Sequence, residues 1–544
     1  MAKRSPTLNE FPLKMVCSNV FGRHPKISTQ QVYNMFQTDG WMVNYSGHKK
    51  VDTIEDSGRG RGIFNSTKFN HLIVVIDNNV YIIDSSLFVT KVGGLDTSNG
   101  DVFIAENDAS QIAICDKKDL YIYDYKLGTF TKVTASTLGF TPGYIDFQNG
   151  YFLAPDINGP AFHLSAPNNG LSWPVINKGG FQTKPDNPVA CIRFPGRGNL
   201  LFVMGSIVTE VWQDVGAQLF PYQRSSAINI DYGCLSASTI AAGDSFIIWL
   251  GINEKSGPTI LMSTGGDATQ ISNDGINYKL AQLKNPSNAY GFLFKQDGHL
   301  FYQLTFPSTE DNFTLIYDIG LQKFYYLCDE YMNCHIAKRM AYFNNKYYFV
   351  SFRDGNLYVS DSQYTTYDGK EIPRIIIPGG VRQHDASQFV VNSVSFIIEQ
   401  GMENEESLFA IPNLYKGVIN TSADFPVTGS PIVGWYYKVE ATSVTDNDPT
   451  KTNTGQSFVP CEIVWNGTRW DIIQPLTPRV DLSLSRDGGV SFGNSVGMWL
   501  QPVSKRQNKF VYFNLGFCNE FVPQFRFWGT SRFVVNDGIV ATYK

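Results

Sequence analysis

From about residue 62 onward the chain is a succession of short apolar runs of about five residues, separated by Gly, Asn, Asp or Pro, which is the signature of antiparallel hairpins. HLIVVI (71–76) and VYIID (80–84) flank an Asp-Asn-Asn turn, QIAIC (111–115) and LYIYD (120–124) flank DKKD, and YIDFQNGYFLAP (144–155) turns at Asn-Gly. Such residues tolerate the positive φ that a tight hairpin turn demands. The scheme recurs in LLFVMGSIVTEVWQD (200–214), SFIIWLG with TILMST (245–264), YGFLFKQDGHLFYQLTFP (290–307), TLIYDIGLQKFYYL (314–327) and MAYFNNKYYFVSFRDGNLYVSD (340–361). These units begin roughly 35 to 50 residues apart, the spacing of four-stranded propeller blades. A lone four-stranded sheet cannot bury both faces, so blades stack radially and close into a ring. The expected fold is therefore all-β, a β-propeller of about seven blades, with two or three separate β-sandwiches as the alternative arrangement.

The flanks differ. Residues 1–61 show no sustained period and read as an extended arm that gains order on a partner, while 62–372 form the propeller. Residues 373–544 read as a second β region, which could also supply a strand that closes the ring; its Asp/Thr/Asn-rich insertion at 441–457 is expected to be a mobile loop. Within the arm, Tyr33 and Phe36 are candidate anchors to a neighbouring subunit, the alternative being that they tuck under their own propeller. Arg224 offers a planar fork for an ion pair between subunits or blades, or for a local bond within its own chain.

Composition narrows the function. The chain is 43% hydrophobic and 14% aromatic with only 17% charged residues, enough for a large core and too little charge for a disordered chain. A net charge of -5 argues against coating nucleic acid through a uniformly basic surface. The arm is mildly basic, with nine Lys and Arg against five acids over residues 1–61. Cys17, Cys115, Cys191, Cys234, Cys328, Cys334, Cys461 and Cys518 lack paired spacing, so neither a zinc ribbon nor a disulfide framework is expected. No apolar run reaches the ~18 residues of a membrane span. The seven histidines stand outside any catalytic motif, no G-x-S-x-G elbow occurs, and GRGRGIF (58–64) lacks the Lys-Ser/Thr pair of a phosphate loop; its glycines are expected to permit a turn. Catalytic residues, cofactor and metal are accordingly all expected to be none. Ser485, Asp487, Gly489 and Phe492 in SRDGGVSF match S-x-D-x-G-x-[ST]-[WF], the Asp-box turn of sialidase-like propellers. That turn is a folding device, and it motivates the alternative reading of a sialidase-like or glycan-binding propeller.

Several blocks occur together in order: VYNMF (32–36), GRGRGIF (58–64), TEVWQDVGAQLFPYQR (209–224) followed by IDYGC (230–234), GHLFYQLTFP (298–307) with LIYD (315–318), and SRDGGVSF with YFNLGF (512–517). This series resembles the tail-hub proteins of short-tailed bacteriophages, also called packaged-DNA stabilisation or tail nozzle proteins. The resemblance implies a non-enzymatic virion tail component, assembled in the host cytoplasm as a homo-hexameric ring below the portal and its adaptor. Such a ring would continue the DNA channel, retain packaged genomic DNA without reading its sequence, and hold tail fibres, spikes or a plug. An acidic balance suits a lumen through which DNA slides.

Overall fold

The computed structural model describes residues 8–21, 30–218, 220–383, 387–400, 415–426, 431–432, 435–440, 443–449, 455, 457–458, 461–465, 468–473, 479–500, 507–529 and 532–543. The chain forms two compact units, one built from 17–36 and 45–362, the other from 1–16, 37–44 and 363–544.

The first unit is a β-propeller. Antiparallel sheets follow one another along the chain: Gly60–Ser66 to Val89–Gly94, Phe103–Glu106 to Thr129–Val133, Asp146–Gln148 to Lys178–Gly180, Pro188–Arg193 to Tyr222–Ile230, Gly233–Cys234 to Ala268–Gln270, and Tyr290–Gln296 to Lys323–Leu327. The seventh sheet takes Ala337–Phe343, Lys346–Ser351 and Gly355–Asp361 from one stretch and its fourth strand, Gly47–Glu55, from far upstream. The seventh sheet lies against the first, where Asn65 Nδ2 donates to Tyr342 O at 2.7 Å and Asn344 Nδ2 to Ser85 O at 3.1 Å.

Local chemistry explains the hairpins. Two-residue loops at Asn149-Gly150, Asp297-Gly298 and Asn344-Asn345 hold both residues at positive φ (50° and 90°, 48° and 86°, 47° and 61°), which matches the twist of the flanking strands. Packing explains the unbroken apolar runs. In the fifth sheet Ile247 and Trp249 face the core shared with the second to fourth sheets, whereas Ile248 and Leu250 face the core shared with the sixth. In the second sheet Ala113 and Cys115 face that same inner core, while Ile112 and Ile114 turn to the first sheet. A middle strand buried on both sides needs an apolar residue at every position.

The structure departs from the sequence expectation at the arm. Gly47–Glu55 is a propeller strand, and the expected boundary at 61/62 falls inside Gly60–Ser66. The closing strand thus comes from upstream, not from residues 373–544. Gln31–Tyr33 adds in parallel to the outer edge of the sixth sheet, pairing Tyr33 with Tyr326, and Asn19 N donates to Phe324 O at 2.8 Å. The GRGRGIF glycines lie in and just before an innermost strand rather than making a turn: a Cβ on Gly60 would stand 2.5 Å from Val350 Cβ.

In the second unit Phe389–Gln400 is flanked by Gln507–Cys518 on one side and by Gly538–Tyr543 and Phe533–Val535 on the other. Asn9–Leu13 pairs with Gly538–Tyr543, and Trp41–Asn44 with Phe533–Val535. A second sheet of Arg374–Ile377, Glu520–Trp528, Arg479–Ser485 and Val496–Trp499 faces it. The contact between the two runs through the Phe396 and Phe525 rings, 4.9 Å apart, and Tyr512 Oη donating to Val480 O at 2.8 Å. A smaller four-stranded sheet spans 415–473 around its own core of Ile419, Val439, Ile463, Trp465 and Trp470. Much of the 441–457 insertion lies outside the described residues; within it Val444–Thr445 pairs with Ser457–Phe458, and Phe458 is fully buried.

Candidate functional site

Propellers concentrate polar chemistry where innermost strands converge on the axis, and here three of those strands carry an irregularity at their starting end. The ladders slip between Gly60 and Gly62, between Pro188 and Ala190, and between Ala337 and Arg339. A bulge leaves one residue out of the pairing and re-aims its neighbours, a recurrent device beside functional sites. The residues so released are Arg61, Val189 and Lys338.

Arg61, only 3% exposed, donates to Gly100 O (2.9 Å), Asp77 O (2.8 Å), Thr97 O (2.6 Å), Thr97 Oγ1 (2.9 Å) and Asn99 O (2.7 Å). Its planar fork thereby fixes the loop that delivers Asp101 to the axis. Asp101 receives Lys117 Nζ at 2.9 Å from its own sheet and Lys338 Nζ at 3.0 Å from the seventh. Lys338 also sits 4.1 Å from the centre of the Tyr290 ring. Arg339 crosses to the fifth and sixth sheets, donating to Ser238 O at 2.8 Å and Gly291 O at 2.6 Å.

The electrostatics follow from burial and pairing. Burial would raise the Asp101 carboxyl, but Lys338 and Lys117 outweigh it and hold the group well below the usual carboxylate range. Burial lowers both Lys338 and Arg339 even though Asp101 pulls each the other way. Beside this cluster opens a cavity of about 430 Å³, lined by Lys117, Gly143, Asp186, Val189, Ser206 and Ala237 from four successive sheets. Asp186 is structurally committed: its oxygens accept from Asn187 N, Ser206 N, Ser206 Oγ, Ile207 N and Val208 N. The far ends of the innermost strands line a second cavity of about 600 Å³, with Glu106, Asp146 and Arg193 in its wall.

The residues singled out from sequence lie elsewhere. Phe36 is fully buried, edge-on to His299 and Phe301 of the sixth sheet, and Tyr33 stacks on Tyr326 with centroids 4.8 Å apart. Both aromatics pack on their own propeller, the alternative that the sequence left open. Arg224 donates to Thr183 Oγ1 at 2.9 Å, the local bond within its own chain. Ser485, Asp487, Gly489 and Phe492 shape a hairpin loop of the second unit, not a propeller sheet. There Asp487 accepts from Ser485 Oγ (2.6 Å), Val490 N (3.1 Å), Ser491 N (3.0 Å) and Ser491 Oγ (2.6 Å), while Gly489 N donates to Ser485 Oγ (2.8 Å). The bonds from Ser485 and Ser491 hold the Asp487 carboxyl below its ordinary range, and the carboxylate serves the turn. The axial residues escaped the sequence reading because Asp101 and Lys338 are 237 positions apart; the one available signal was the Gly-Arg-Gly repeat around Arg61.

Among the described residues no cluster of three His, Cys, Asp or Glu could hold a metal ion. Comparison with solved structures returns propellers: a catalytically inactive virginiamycin B lyase from Staphylococcus aureus (12% identity, 58% of this chain and 99% of that one, TM-score 0.40), the N-terminal domain of Nup159 (10% identity, 60% and 96%, TM-score 0.37) and the WD40 propeller domain of Doa1 (11% identity, 58% and 97%, TM-score 0.36). No curated protein sequence matches. The model of one family, described as bacteriophage P22 Gp10, beta-propeller, matches residues 26–364, more than half of the chain and nearly all of the propeller unit. The chain therefore belongs to the P22 Gp10 β-propeller family of phage tail stabilisation proteins.

Proposed function

We propose that this protein is a non-enzymatic ring component of a phage tail, a homo-hexamer seated below the portal and its adaptor. It continues the DNA channel, retains the packaged genome, and docks fibres, spikes or a plug on its outer surface. Family membership over residues 26–364 is the observation that carries this reading. The propeller axis supports the ring in a second way. It is crossed by the Lys338–Asp101 ion pair and by Arg339 reaching Ser238 O and Gly291 O. A duplex whose major groove alone is about 12 Å wide does not thread such an axis, which supports a DNA lumen enclosed by several copies.

The test is assembly. Light scattering of the purified chain, alone and with portal–adaptor particles, should give a defined ring on the particles. A chain that stays monomeric at high concentration and also fails to join the particles removes the proposal's main support.

A further inference from the structure

We propose that the charged end of the propeller axis is an anion-binding site, holding a tetrahedral oxyanion of the phosphate type between Lys117, Lys338 and Arg339. Three cations converge there on one carboxylate. Asp101 is the acid that acts on both Lys338 and Arg339, and it is already shared between Lys117 and Lys338. Arg339 finds only the main-chain carbonyls of Ser238 and Gly291, which carry no full charge. Asp186, the other acid at the adjoining cavity, is taken up by main-chain amides and the Ser206 hydroxyl. Asp186 keeps its formal negative charge on those neutral donors, so Asp101 and Asp186 against Lys117, Lys338 and Arg339 leave one positive charge in excess, in a setting where an unpaired cation is costly.

A second observation points the same way. The Ser238 Oγ, on the residue whose carbonyl receives Arg339, is buried without a hydrogen-bond partner. Access suits a small ion. The side chains of Lys117, Asp101 and Lys338 are 39%, 20% and 13% exposed, a gradient leading inward from the open cavity. The chemistry suits phosphate, because a guanidinium and two ammonium groups together present convergent charged donors to an oxyanion. This site goes beyond the ring reading and does not depend on it, since it lies within one propeller.

The experiment is calorimetric titration of inorganic phosphate into the full chain, with ionic strength held constant by chloride. The expected result is one saturable site in the wild type, weakened about tenfold or more in Lys338→Met and in Lys117→Ala. Lys117 is partly exposed in a turn, so its variant keeps the test valid if Lys338→Met misfolds; circular dichroism checks both. Heat no greater than dilution in the wild type, or unchanged binding in a folded variant, overturns the proposal. Competition by a 5′-phosphorylated oligonucleotide, but not by its dephosphorylated form, assigns the ion to nucleic acid; phosphate binding without that competition assigns it to free oxyanion. Either result leaves the anion site standing, whereas the ring reading is decided by assembly alone.

Discussion

Replacing Arg61 with alanine tests whether one side chain organises the axial end of the propeller. The side chain makes five contacts of 2.6 to 2.9 Å, four of them to main-chain carbonyls of Asp77, Thr97, Asn99 and Gly100. A hydrogen bond to a charged group contributes about 1.5–3 kcal/mol. The five are not additive, because the freed carbonyls of a surface loop regain water. The expected loss is about 3–5 kcal/mol, comparable to removing one partner of a buried charged network. Urea unfolding measures it, and hydrogen exchange over residues 95–103 localises it, since the loop carrying Asp101 should lose protection first. Arg61→Lys keeps the charge but not the fork, and should recover less than half of the loss. A loss below about 1 kcal/mol, or full recovery by lysine, would refute the claim that fork geometry matters here.

Three further outcomes are expected. Gly60→Ala should destabilise the propeller by about 1–3 kcal/mol, seen as a lower calorimetric midpoint, because the new Cβ would stand 2.5 Å from Val350 Cβ and 2.7 Å from Ser351 O. Burial lowers the His335 imidazole to about 4, so it stays neutral when folded and takes up a proton mainly on unfolding; its contribution, up to about 3 kcal/mol, is present above the ordinary value near 6.5 and lost as pH falls from there towards 4. Urea midpoints between pH 4.5 and 7 should show that slope, and His335→Gln should flatten it. Asp487→Ala should speed tryptic cleavage after Arg486 without altering exchange in the propeller, because the carboxylate ties only its own loop.

The sheets were legible because their middle strands are buried on both faces and their two-residue turns use Asn, Asp and Gly. Where a strand meets solvent, that signal fails. Gly47–Glu55 reads GHKKVDTIE and exposes Lys49, Lys50, Asp52 and Thr53. No apolar period marks it, and by sequence it reads as part of an arm. Phe36 shows an ambiguity of another kind: an aromatic in a polar stretch fits an anchor or a buried ring equally well until the fold places His299 and Phe301 against it. The axial cluster was illegible for a third reason. Asp101, Lys117, Lys338 and Arg339 are ordinary charged residues at strand ends, and only closure of the ring brings them together. The Ser485–Ser491 turn was readable because the hydrogen bonds of the Ser485 and Asp487 side chains are all local.

The upstream closing strand has a consequence for biosynthesis. Gly47–Glu55 leaves the ribosome long before its partner: the bond from Ser360 Oγ to Gly47 O spans 313 positions. In the second unit the bond from Thr542 Oγ1 to Asn9 O spans 533. Vectorial folding therefore leaves Gly47–Glu55 waiting until residue 361 is made, and Asn9–Leu13 until Gly538–Tyr543 follows. Loop closure over such distances costs only a little more entropy than over shorter ones, so the completed protein loses little stability by it. During synthesis, however, an early strand can enter the open edge of another copy, and crowding of nascent chains would favour such exchanged pairs.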